Sequence, residues 1–236
     1  MSNQIRIPAK ILGEIALSDF CPRCFWIKLH VSKLPYQIFP GIFSSIDTYT
    51  KRVVHGWFDN LGSAPPWLQS LGDLMAYKNA PHFSKFNVID SETNILLAGS
   101  PDDIFLLRDN SHIIADYKTA KYTGTQDVLF PMYEAQLNAY AFIGMQRGLE
   151  PISGLALVYM EPITDNDAAK NNVGLRENGF VMDFSANVHM VNLNIGIIPP
   201  LLREARRIYD MNATPFGLAD CRNCPLVDEL VALADI

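Results

Sequence analysis

Two apolar runs flanking the polar turn Arg108-Asp109-Asn110-Ser111 restrict this chain more than any other stretch. The first runs from Leu96 through Gly99, Pro101, Asp102 and Asp103 to Leu107, and the second is His112-Ile-Ile-Ala-Asp-Tyr-Lys118. Apolar runs around a turn rich in Asp, Asn and Ser predict a β-hairpin. Side chains alternate along a strand, so Asp116 and Lys118 project to one face and Tyr117 to the other. Asp102 opens the second half of the first run, where pairing across the hairpin brings its carboxylate toward that of Asp116. Asp103, its neighbour, competes for the same place, and because adjacent residues point to opposite faces only one of the two reaches it. Two carboxylates and a lysine at a sheet edge make an expensive core. A divalent cation relieves the carboxylate repulsion and gives the lysine a role. Asp-Tyr-Lys alone fits equally well a strand running out into solvent.

The fuller pattern, Gly99-x-Pro101-Asp102, a strand-length spacer and Asp116-x-Lys118, is more specific. It resembles the core of the PD-(D/E)XK nuclease superfamily, closest to the RecB-like branch. That branch includes the iron–sulfur exonucleases of CRISPR adaptation and of helicase–nuclease repair complexes. The Gly-x-x-Asp register of that family selects Asp102 over Asp103, which the resemblance then leaves to face solvent or to pair with a cation. A helix is predicted from about Pro131 to the stop at Gly148, placing Tyr133, Gln136 and Tyr140 on one stripe. Such stripes usually flank a core, but Gln136-x-x-x-Tyr140 matches the Gln-x-x-x-Tyr element that borders the active site in that family. Upstream, a helix over Ser44–Leu61 carries Lys51, Arg52, His55 and Trp57. A helical histidine is by itself more often solvated. The resemblance implies that His55 is a metal ligand, whereas Trp57, Phe58 and Trp67 read as packing residues.

Cys21-Pro-Arg-Cys24 near the start and Cys221-Arg-Asn-Cys224-Pro225 near the end repeat one spacing. One Cys-x-x-Cys reads as a metal knuckle, a redox dithiol or two buried thiols. The second pair turns the reading toward four thiolates around zinc or a cubane iron–sulfur cluster. On spacing alone zinc is the default. The RecB-like cluster nucleases are similar in having a Cys-Pro-Arg segment before the core and Cys-x-x-Cys-Pro after it, which match Cys21, Cys221 and Cys224. The resemblance therefore implies a 4Fe–4S cluster, with Zn²⁺ as the alternative. The family's fourth ligand follows in the C-terminal segment, where this chain has no cysteine, and Cys24 takes that place. Either group staples the two termini together.

A formal net charge of −6 gives no support for general attraction to nucleic acid, although a sum over the chain says little about one groove. Arg203, Arg206 and Arg207 cluster on a predicted helix from Pro199 to about Met211 and face either a DNA backbone or solvent. No apolar stretch approaches the ~20 residues of a membrane helix, and the N-terminus lacks the apolar segment of a secretory signal, so a cytoplasmic protein with no membrane partner is expected.

The fold expected is α/β, a mixed central sheet flanked by helices with the restriction-endonuclease-like order β-β-β-α-β. One domain spans residues 1–236, with a core at about 85–195 and a helical, cysteine-stapled cap from 1–84 and 196–236. The segment from Thr164 to Gly179 reads as a loop and Phe180–Asn194 as an edge or exposed strand. The function that the resemblance implies is metal-dependent hydrolysis of phosphodiester bonds by a DNA exonuclease. Its substrate is single-stranded DNA or DNA ends, in repair, recombination or CRISPR adaptation, with a helicase or CRISPR integrase as partner. Asp102, Asp116 and the backbone carbonyl of Tyr117 then hold Mg²⁺ or Mn²⁺, joined by His55. Lys118 orients a water and stabilises developing charge, and Gln136 and Tyr140 position Lys118 or the phosphate. The alternatives are a catalytically silent DNA-binding or assembly module of the same fold and a zinc-stapled protein with no nucleic-acid role.

Overall fold

The computed structural model describes residues 3–31, 40–123, 128–170 and 174–234. The chain opens with β1 (Ile5–Pro8), α1 (Ala9–Gly13), α2 (Pro22–His30) and α3 (Gly41–Leu61). Strands β2 (Leu74–Lys78), β3 (Asn87–Asp90), β4 (Ile95–Ala98), β5 (Asp103–Leu107) and β6 (His112–Lys118) follow. Next come α4 (Phe130–Gln146), β7 (Ile152–Pro162), α5 (Asn166–Lys170), β8 (Leu175–Arg176), β9 (Gly179–Phe180), β10 (Phe184–Val191), α6 (Ile198–Tyr209) and α7 (Cys224–Ala234).

The central sheet has five strands in the order β10-β7-β6-β5-β2. β6 and β7 are parallel and the other neighbours are antiparallel. A parallel pair needs a crossover, and α4 supplies it. The chain order β2, β5, β6, α4, β7 is the β-β-β-α-β arrangement, and β10 forms one edge. A smaller sheet, β1-β4-β3, stands beside it.

Alternation along β6 divides the core between two faces. Ile114 joins Leu137, Tyr140 and Ile143 of α4 and Leu202 and Ala205 of α6 in one apolar cluster. Ile113, Ala115 and Tyr117 point the other way, with Phe105, toward Val54 and Phe58 of α3 and Leu68 and Leu71 of the turn at Pro66–Leu71. The sheet is thus covered by α4 on one face and by α3 on the other.

Three expectations change. The first apolar run is not one strand. Its start, β4, belongs to the small sheet, and only β5 pairs with β6, with Asp103 opposite Ala115. The break falls at Gly99–Asp102, where Pro101 offers no N–H to a ladder. Gly99 lies so close to α4 that a Cβ there would meet Tyr140 Cε1 at 2.3 Å. The segment 1–84 is not wholly helical, because β1 and β2 are strands of the two sheets. The stretch 164–179 contains the short helix α5 and the paired strands β8 and β9, while residues 171–173 lie outside the described residues. Outside them too lie Pro35 and the end of the polar connection after Lys118, residues 124–127.

Candidate functional site

The C-terminal end of β6 brings Asp116 and Lys118 to the α4 face, as a two-residue spacing along a strand requires. Their side chains form an ion pair, and Lys118 Nζ also sits 4.1 Å above the ring centroid of Tyr133. Asp102, in the break before β5, reaches the same corner. Its Oδ2 accepts the Tyr117 backbone N–H at 2.8 Å, and its Oδ1 lies 2.6 Å from Lys51 Nζ. Asp116 is buried. Burial first, and then the charge of Asp102, push its carboxyl up to about 6 against the opposing pull of Lys118 and Lys51. Behind this pair, Gln136 Nε2 donates to Tyr140 Oη at 2.7 Å, one helical turn apart on α4. Burial, and next the nearby Asp116 charge, keep the Tyr140 phenol protonated well beyond its ordinary range. Gln136 Oε1 is buried and has no hydrogen-bond partner among the described residues, an orphaned acceptor beside Tyr140.

On the α3 face the picture differs from the expectation. Asp103 does not face solvent but is fully buried. It accepts from His55 Nε2 at 2.6 Å and from the Tyr117 hydroxyl at 2.7 Å. The His55 ring is also stacked on Tyr77 at 3.8 Å between centroids. His55 is therefore held by Asp103 rather than grouped with Asp102 and Asp116. Adjacent residues at the mouth of a strand point to opposite faces, and α3 covers the face that Asp103 occupies. Burial raises the Asp103 carboxyl, opposed by His55 and Tyr117. The Tyr117 phenol is driven far above its usual range by burial and then by Asp103.

Reading the sequence missed Asp47 and left Lys51 without a role. Asp47 lies 3.3 Å from Lys51, and burial followed by the Asp102 charge raises its carboxyl. Asp47, Lys51 and His55 are i, i+4 and i+8 on α3, a signal visible in the sequence but indistinguishable there from any charged helix face. The arginines of α6 do not offer a free basic face. Arg203 pairs with Glu92, Arg206 with Asp210 and Arg207 with Glu204. Trp57 and Trp67 pack edge to face, as expected of packing residues.

The donor set at the sheet end suits a hard divalent cation: two carboxylates sharing one corner, one of them held above its ordinary range by burial and then by the other's charge. Its present geometry is charge-balanced by lysines instead. Among the described residues, only the four cysteines bring three or more His, Cys, Asp or Glu ligand atoms within 4.8 Å of one another.

The cysteines meet as the paired spacings imply. Cys21 caps the start of α2, Cys24 lies one turn inside it, and Cys221 and Cys224 flank the start of α7. The Cys21–Cys224, Cys24–Cys221 and Cys24–Cys224 sulfurs are 3.6, 3.5 and 3.8 Å apart. Burial opposes ionisation of Cys21. The backbone N–H groups of Cys24 and Leu218, with the neighbouring thiols, outweigh it and lower Cys21 to about 6. Burial pushes Cys24 and Cys224 up, Cys224 to about 11. Four sulfurs converging on one point, two of them kept protonated chiefly by burial, are what a shared cation would ionise, so the site fits a metal ion or an iron–sulfur cluster. Gly217 leaves room for it, since a Cβ there would lie 2.5 Å from Cys224 Sγ. Arg23 of α2 and Asp228 of α7 add an ion pair across the same junction.

No helix among the described residues is long and apolar enough to cross a membrane. No protein-family model and no curated protein matches the chain. Among solved structures, the crystal structure of SSO0001 aligns over 92% of this chain and 81% of its own, at 13% sequence identity and a TM-score of 0.46.

Proposed function

We propose that the chain is a metal-dependent nuclease of the PD-(D/E)XK type that hydrolyses phosphodiester bonds in DNA, at single strands or free ends. The observation that carries this reading is the meeting of Asp102, Asp116 and Lys118 at one sheet corner, backed by the Gln136–Tyr140 pair on α4. Asp102, Asp116 and the Tyr117 carbonyl are the groups that would hold Mg²⁺ or Mn²⁺. Such an ion, when bound, lowers the pKa of a coordinated water and offsets phosphate charge. Lys118, held between Asp116 and the Tyr133 ring, presents a fixed cation where negative charge develops. Gln136 Oε1, which has no partner among the described residues, is available to a water or to Lys118. His55 stands outside this donor set, because its Nε2 is committed to Asp103.

A second reading has its own support. Lys51 on Asp102 and Lys118 on Asp116 neutralise both carboxylates without an ion, as a silent binding module of the same fold would require. Cleavage of end-labelled single-stranded DNA with Mn²⁺ separates the two. The nuclease reading expects cleavage by the wild type and none by Asp116→Ala or Lys118→Ala. Intact DNA in every lane supports the silent module, and cleavage surviving both substitutions removes the assigned site.

At the cysteines the spacing favours one ion over a cubane, against the cluster that the family resemblance implies. A zinc–sulfur bond of about 2.3 Å gives a tetrahedron edge of about 3.8 Å, near the separations found. A cubane spreads its thiolates over four irons and holds them further apart. Metal analysis of anaerobically purified protein is expected to give one zinc per chain without the visible absorption of thiolate-bound iron. Four irons with that absorption reverse the assignment.

A further inference from the structure

At the sheet corner the two oxygens of Asp102 are held by different kinds of donor. Oδ2 is tied to the backbone of β6 through the Tyr117 N–H, so the carboxylate cannot turn away from the corner. Oδ1 faces α3 and carries the Lys51 ammonium at 2.6 Å. Lys51 also reaches Asp47 Oδ2 at 3.3 Å, one turn earlier on its own helix. Burial works against the charge on Lys51, but Asp102 and Asp47 outweigh it and hold the ammonium protonated. Its side chain is 29% exposed, so it can swing into water without rearranging the core. A divalent cation approaching Asp102 meets this ammonium at the oxygen it needs, and two cations on one oxygen repel.

We infer that Lys51 is the resident counter-ion of Asp102, holding Oδ1 when no divalent cation is present and competing with that cation for the corner. The inference rests on the reading of Asp102 and Asp116 as a cation site. Displacement need not carry Lys51 far, because Asp47 keeps it at the rim. There its ammonium stands next to the corner and suits a phosphodiester oxygen. A salt bridge that merely pinned α3 to the sheet would behave differently, since its loss would loosen the corner and weaken cation binding.

Calorimetric titration of Mn²⁺ into the full chain, with no DNA present, makes the distinction through the sign of the change. Lys51→Met is expected to bind Mn²⁺ more tightly than wild type, on the order of tenfold, the equivalent of one partly buried ion pair. Lys51→Arg keeps the charge and is expected to bind like wild type, and Lys51→Met with Asp102→Asn is expected to lose the gain. Binding by Lys51→Met that is unchanged or weaker overturns the inference while leaving the cation site in place. Binding by Lys51→Met alone, with none by wild type, supports the inference and removes the cation-dependent nuclease. No binding by either protein removes both.

Discussion

Asp102 and Asp103 are neighbours in the chain and differ in almost every physical respect. Asp103 is sealed under α3, with His55 Nε2 and the Tyr117 hydroxyl each satisfying one oxygen. Asp102 stands in the break before β5, partly exposed, sharing its corner with a second carboxylate whose ionisation it opposes. One aspartate is sealed within a neutral-donor and imidazole network and the other stands in a cluster of two carboxylates balanced by two lysines. A buried acid with every partner in place is accounted for within the fold, whereas a carboxyl pushed up by burial and by a neighbouring carboxylate is an arrangement that a bound cation would relieve.

The contrast breaks most readily at Asp103. Asp103→Ala strands both the His55 ring nitrogen and the Tyr117 hydroxyl, and is expected to cost about 3–5 kcal/mol of stability in chemical denaturation. A loss below about 1 kcal/mol, the range of a surface pair, would mean that the network is not structural. Tyr117→Phe leaves Asp103 with His55 alone and is expected to cost about 1–3 kcal/mol. Its effect on metal binding should be small, because the phenol lies on the other face of β6 from Asp116.

The smallest effect has the opposite sign. The Asp116 carboxyl, pushed up to about 6 when folded, has an ordinary value of about 3.9 when unfolded. The folded state therefore binds that proton more tightly than the unfolded chain does. Its contribution to stability is largest below about pH 4, falls as pH rises from about 4 to 6, and is level above. Asp116→Asn removes this slope. In the absence of divalent cations at pH 7.5 it is expected to be about 1 kcal/mol more stable than wild type, or ~2–4 °C in melting temperature, the gain implied by the raised carboxyl (which already includes the Lys118 attraction) being reduced by the poorer fit of the amide to the corner. A variant that is less stable at pH 7.5 and keeps the slope would show that the corner is already complete.

What could be read from the sequence follows from the range of each rule. Period-two alternation placed Asp116 and Lys118 together and Tyr117 opposite them, and i, i+4 spacing placed Gln136 with Tyr140. The repeated Cys-x-x-Cys predicted four sulfurs in one place, although not how tightly they converge. These signals are local, or are repeated within the chain itself. The burial of Asp103, its hold on His55 and the reach of Asp47 and Lys51 all depend on where α3 lies across the end of the sheet. Nothing in the helix's own residues specifies that. The broken first run was the one misreading with a local remedy, because Gly99 and Pro101 interrupt it in plain view.

The division of labour between the two faces is tested most directly by comparing Asp116→Asn with Asp103→Asn in Mn²⁺-dependent cleavage of single-stranded DNA. The assay is run at low temperature, where cooperative unfolding shows both proteins to be folded. The account predicts that Asp116→Asn is stable and inert, while Asp103→Asn is less stable and cleaves. A folded Asp103→Asn that is inert beside an active Asp116→Asn would place the chemistry under α3 and contradict it.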